Sequence, residues 1–128
     1  MRLPMLAAAL LLSAAQAHAA DPPDHPGTFA GANYTKLCNA EPGSVQYAAC
    51  LSYTAGAYDA YLHVDAAYIL TGHPLYCPPK GGVPTTVMAQ LVKDEIALDG
   101  EEGQTNDASD TMLTVLMGRF PCPKQPTQ

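Results

Sequence analysis

The run SVQYAACLSYTAGAYDAYLHVDAAYIL, residues 44–70, decides the fold. It contains no proline, opens on Ser44, a good N-cap, and repeats its apolar positions at helical rather than strand spacing. Cys50, Tyr53, Ala57 and Ala60 form one stripe, with Gly56 beside it leaving room for a neighbouring helix, and Tyr47, Leu51, Tyr58 and Leu62 form a second. A helix apolar around so much of its circumference is expected at the centre of a small bundle. Polar His63 and Asp65 mark a kink or an end, and Thr71-Gly72-His73-Pro74 stops the helix, because glycine caps C-termini and proline cannot continue them.

On the N-terminal side, Glu41-Pro42-Gly43 is a turn, and before it Tyr34, Leu37 and Cys38 share one face of a short helix over Gly31 to Asn39. On the C-terminal side, Cys77 leads into the loop Pro78-Pro79-Lys80-Gly81-Gly82. Pro84 to Leu98 then reads as a helix with proline in its first turn and Val87, Leu91, Met88 and Val92 on its apolar face. Asp99 to Asp107 reads as an acidic loop rich in turn residues, and Asn106 or Asp107 caps a last helix that buries Met112, Val115, Leu116 and Phe120 before Pro121 ends it. No run of useful length has strand period. The expected fold is all-α, a small bundle of about four main helices with two intramolecular disulfides, over residues 31–123, with a disordered tail at 124–128.

The first nineteen residues read as a signal peptide. Met1-Arg2 is a short cationic start, Leu3 to Ala15 is rich in Ala and Leu, and Ala17-His18-Ala19 places small residues where a signal peptidase cuts, so cleavage falls near Ala19. An apolar run of about a dozen residues is too short for a bilayer, which needs about 20. The expected product is exported and periplasmic, with no membrane attachment after cleavage. Its first stretch, residues 20–30, holds three prolines and two aspartates between Asp21 and Gly27 and is expected to be a flexible arm.

The whole chain has 128 residues, with 6 Lys+Arg against 12 Asp+Glu. Cleavage takes Arg2 away and leaves a net charge of −7, a sign that repels phosphate backbones and excludes nucleic acid as a partner. Charged residues are 14% and apolar ones 48%, too few and too many for an intrinsically disordered chain. A domain this small buries roughly two thirds of its unfolded surface, so covalent staples help it. Cys38, Cys50, Cys77 and Cys122 supply two in an oxidising compartment. Of the three possible pairings, the one in which Cys38 and Cys50 clip a hairpin across Pro42-Gly43 leaves Cys77 with Cys122; the other two stay open.

Catalytic and metal chemistry find little to work with. Asp59 and His63 stand at i, i+4 on one helix face, but a third ligand is missing, and a local hydrogen bond or ion pair explains the spacing. The cysteines lack metal spacing, and an even number in disulfides leaves no nucleophile. No Ser-His-Asp set, HExxH or phosphate-cradling glycine loop is present, so no enzyme, metal or cofactor is expected.

Leu37-Cys38, Cys50-x-x-Tyr53-x-x-Gly56-x-x-Asp59-Ala60, Tyr76-Cys77-Pro78 with Gly82-Val83, Gln90-Leu91-Val92 and Phe120-Pro121-Cys122, taken in order, resemble the Tai/Rap-type immunity proteins. These are exported helical proteins that neutralise peptidoglycan amidase effectors of the type VI secretion system. The chain departs from the pattern between Lys93 and Asp110, which is acidic and glycine-rich here. The resemblance implies a periplasmic inhibitor that binds an injected amidase and blocks its cleft, and it implies a homodimer. Asp99, Glu101, Glu102 and Gln104, in the acidic segment, are the candidate effector contacts, since projecting polar loops often carry function; otherwise they form a solvated turn. The alternative is an HdeA-like periplasmic acid-stress chaperone, also small, exported and disulfide-clipped. Four cysteines and Phe120-Pro121-Cys122 argue against it. A structural envelope protein is a third reading, favoured only by the lack of motifs.

Overall fold

The structure, a computed structural model, describes residues 29–69 and 74–123. The expected signal peptide at 1–19, most of the expected arm, the stop at Thr71-Gly72-His73 and the tail at 124–128 lie outside the described residues. Five helices follow in order: α1 (Gly31–Cys38), α2 (Val45–Ile69), α3 (Thr85–Leu98), α4 (Gly100–Thr105) and α5 (Ala108–Arg119). Among the described residues there is no strand, only an isolated antiparallel bridge between Ala30 and Asp107.

The helix starts follow local chemistry. The Ser44 hydroxyl accepts from the Tyr47 N–H at 3.1 Å and caps α2. Pro84 stands at the N-cap of α3, one residue earlier than expected, where its fixed φ suits the entry and its missing N–H costs nothing. Asp107 caps α5, its carboxylate accepting from the Ser109 N–H at 2.8 Å.

Four expectations are corrected. The segment after Asp99 is not a loop throughout: Gly100–Thr105 forms a short helix. The folded part does not begin at Gly31, because Phe29 and Ala30, assigned to the flexible arm, are tied to α5 by Phe29 C=O accepting from Ala108 N–H at 2.8 Å. The centre of the bundle is not α2. Helix α3 packs against all four others and contributes Met88, Val92 and Ile96, each fully buried. On α2, Ala48, Ala49, Ser52, Ala55, Gly56, Asp59 and Ala60 are exposed. The physical reason is that alanines count as apolar in a periodicity but have little side chain to bury, so the bulky α3 residues take the middle. Val87 is 47% exposed although it was expected on the buried face, which runs instead through Met88, Val92 and Ile96 at successive helical turns.

The remaining core comes from Tyr34, Tyr76, Met112, Val115 and Leu116, all nearly inaccessible. Buried tyrosines need partners for their hydroxyls, and here those partners join elements. Tyr34 Oη and Thr54 Oγ1 lie 2.7 Å apart; since Thr54 donates to the Cys50 carbonyl at 2.8 Å, Tyr34 is the donor across α1 and α2. Tyr61 donates to the Ser109 carbonyl at 2.9 Å, joining α2 to α5. Tyr58 accepts from the Val83 N–H at 3.2 Å, and Tyr76 donates to the Tyr61 carbonyl, so the segment after α2 is drawn back onto it. Disulfides Cys38–Cys50 and Cys77–Cys122 complete the frame, with Cα separations of 5.1 and 4.8 Å. All four cysteines are paired.

Candidate functional site

The acidic segment is displayed by two glycines. Gly100, at φ +61°, takes the left-handed conformation that turns the chain from α3 into α4, a conformation glycine adopts without steric cost. Gly103 is buried, and a Cβ there would stand 2.4 Å from the Ile96 carbonyl oxygen; a Cβ on Gly31 would meet the Gly103 oxygen closer still. Backbone therefore packs on backbone where α4 meets α1 and the end of α3. The Gly31 N–H donates to the Asn106 carbonyl at 2.9 Å and fixes the far end of α4.

With its inner side locked, α4 turns the expected residues outward. Asp99, Glu101 and Glu102 are each exposed, and Leu98, which precedes them, is 72% exposed. Gln104, on the same short helix, is half-buried. Glu101 and Glu102 stand in the first turn of α4, where the helix dipole favours negative charge. Leu98 and the acidic residues Asp99, Glu101 and Glu102 are thus close in sequence and all exposed.

The junction behind this surface is organised by Asp107, which the sequence suggests only as a cap. Its Oδ2 accepts from the Phe29 N–H at 2.6 Å, and its Oδ1 from the Ser109 hydroxyl at 2.6 Å and the Tyr53 hydroxyl at 3.3 Å. Burial alone would raise the Asp107 carboxyl, but the hydrogen bonds from the Ser109 hydroxyl, the Ser109 N–H, Phe29 and Tyr53 outweigh it and hold the group below its ordinary value. Burial first, and the neighbouring Asp107 carboxylate second, push the Tyr53 phenol up to about 12, so it remains a neutral donor at physiological pH. The Phe29 ring lies 4.8 Å from that of Tyr53 and 6.3 Å, edge-on, from that of Tyr34. The Asn106-Asp107 cap signal was readable in the sequence; the contact with Phe29, 78 positions away, was not.

Asp59 and His63 are both exposed on α2, and the described residues hold no group of three or more His, Cys, Asp or Glu placed to bind a metal ion. Tyr76 belongs to the core, 1% exposed. No described helix is long and apolar enough to cross a membrane.

No curated protein and no solved structure matches the chain. The family model of the Rap1a immunity proteins matches residues 30–122, from the bridge residue Ala30 to the last cysteine of the second disulfide. With nearly the whole helical frame inside that match, the chain belongs to the Rap1a immunity protein family.

Proposed function

We propose that the protein is a periplasmic immunity protein that binds and inhibits a peptidoglycan amidase delivered by a type VI secretion system, protecting the cell from its siblings. The observation that carries the reading is the family match over residues 30–122, which makes the protein the immunity partner of an effector in bacterial competition. The two disulfides suit an oxidising, exported location, as does the signal-like segment ending near Ala19. Inhibition is by occupation of the effector, without catalysis. The contact surface is the exposed segment formed by Leu98, Asp99, Glu101 and Glu102, where a leucine open to solvent in the free protein stands beside three carboxylates and can be covered by the effector. Gln104 contributes at its edge. A homodimer is part of the same reading, supported by the open face of Ala48, Ser52, Ala55 and Gly56 on α2, whose small side chains permit close helix approach.

Affinity capture with the oxidised mature protein at neutral pH, against lysate of its own strain, tests the reading. One amidase retained stoichiometrically, and silenced at equal molar ratio, is the expected result. Capture of an effector with another activity would overturn the amidase assignment, and retention of many unrelated proteins only after acidification would replace it with the HdeA-like chaperone. Sedimentation equilibrium of the free protein tests the dimer.

A further inference from the structure

The two disulfides occupy different environments. Cys38 is 6% exposed and Cys50 fully buried, at the end of α1 and within α2, with Tyr34 and Thr54 in the same buried region. Cys77 is exposed and Cys122 partly so, and both lie outside the helices, Cys77 after α2 and Cys122 after α5. Thiol–disulfide exchange requires a thiolate to reach a sulfur along the S–S axis, so access separates bonds that are otherwise chemically alike.

The surroundings of Cys77 are held without the disulfide. The Leu75 N–H donates to the buried Asp65 carboxylate at 2.8 Å, the Tyr76 ring is buried with its hydroxyl on the Tyr61 carbonyl, and the Val83 N–H donates to Tyr58 at 3.2 Å. The Cys77 N–H donates to the Phe120 carbonyl at 2.7 Å, which secures the end of α5 as well. Beyond Phe120 the situation changes. Pro121 and Pro123 have no N–H to donate, so Cys122 holds this end of the chain chiefly through its covalent bond.

We propose that Cys77–Cys122 is a thiol-exchange site, opened at Cys77 by an external dithiol, while Cys38–Cys50 stays closed and the helices stay folded. A thiolate of the dithiol attacks Cys77 Sγ; the S–S bond breaks, and its electron pair leaves on Cys122 Sγ, which takes up a proton. The second thiolate of the dithiol then attacks its own sulfur in the mixed disulfide and releases Cys77 as a thiol after protonation. The dithiol is oxidised by two electrons to a cyclic or intramolecular disulfide, and the protein's bond is reduced to two thiols. The consequence is a C-terminal end that is clasped under oxidising conditions and released under reducing ones. This inference does not depend on the identity of any effector.

The test uses the oxidised wild-type protein and dithiothreitol, with timed iodoacetamide quenching, peptide mapping and parallel circular dichroism. Cys77 and Cys122 are expected to become alkylated together, at least roughly a hundredfold faster than Cys38 and Cys50, because the buried pair reacts only after the fold opens. The helical signal at that first stage is expected to be retained, with a lowered Tm because the unfolded chain loses a closed loop. Glutathione, a monothiol, is expected to stall as a mixed disulfide mapped on Cys77. Equal rates for the two bonds, earlier opening of Cys38–Cys50, loss of helix with the first opening, or trapping on Cys122 would each overturn the proposal.

Discussion

At Asp107 one carboxylate serves the start of α5, the Phe29 backbone and the Tyr53 hydroxyl. Replacing it with alanine removes an N-cap, which costs about 1 kcal/mol, and leaves three further donors, the Ser109 hydroxyl, the Phe29 N–H and the Tyr53 hydroxyl, without their partner, so a total loss of about 2–3 kcal/mol is expected. Chemical denaturation of Asp107→Ala at neutral pH measures it. The acid dependence has a definite sign. The folded-state pKa lies below the ordinary carboxylate value, so the stabilisation is complete above the unfolded pKa of about 3.9 and is lost as pH falls through the folded one. The gap in Tm between wild type and Asp107→Asn should therefore narrow below about pH 4. A gap constant across that range would show that the charge is irrelevant and only the shape of the side chain matters.

Helix α4 exists because of its neighbours. GEEGQT has two glycines in six residues and no intrinsic tendency to be helical, and it becomes a helix where Gly103 rests on the Ile96 carbonyl and the α1 backbone. Gly103→Ala is expected to lose about 1–3 kcal/mol by forcing that contact apart, and amide exchange should show protection lost first in α4. Gly56→Ala is the contrasting case: within one chain a Cβ there meets nothing within 4 Å, so at concentrations where the protein is monomeric the exposed α2 position should gain about 0.5–1 kcal/mol from a stiffer unfolded chain. Equal effects at the two glycines would refute the packing account of α4. The same contrast explains what was legible in the sequence. Helices α2, α3 and α5 were readable because Ser44, Pro84 and Asp107 mark their starts, and α1 because Tyr34, Leu37 and Cys38 repeat along one face. The turn at Pro42-Gly43, legible in the sequence, favoured pairing Cys38 with Cys50 and hence Cys77 with Cys122, and the structure has that pairing. Short α4, the central place of α3 and the role of Phe29 depend on contacts between distant residues, which no local pattern encodes. For the candidate site, the acidic residues were visible as composition; what displays Asp99, Glu101 and Glu102, and Leu98 before them, is the backbone packing of Gly31 on Gly103.

On the scale of the molecule, the 128-residue chain carries a formal net charge of −6, and three of its acids are exposed at Asp99, Glu101 and Glu102. Such a distribution accelerates encounter with a basic partner more than it strengthens the final complex. Glu101→Lys/Glu102→Lys adds two positive units at each position and moves the net charge from −6 to −2. Association with a basic amidase is then expected to slow by roughly tenfold at low salt, with a smaller change in dissociation. Raising the ionic strength to about 1 M shortens the screening length to about 3 Å, so wild type and variant should converge there. The reversal also replaces two acids favoured by the α4 dipole, at about 0.5 kcal/mol each, which lowers Tm by up to about 5 °C. Kinetics are therefore compared by stopped flow well below the transition of both proteins. Convergence at high salt with both variants folded identifies steering by the α4 end, whereas a difference that persists at high salt assigns these glutamates to short-range contacts in the complex, and no difference at any salt places the interface elsewhere.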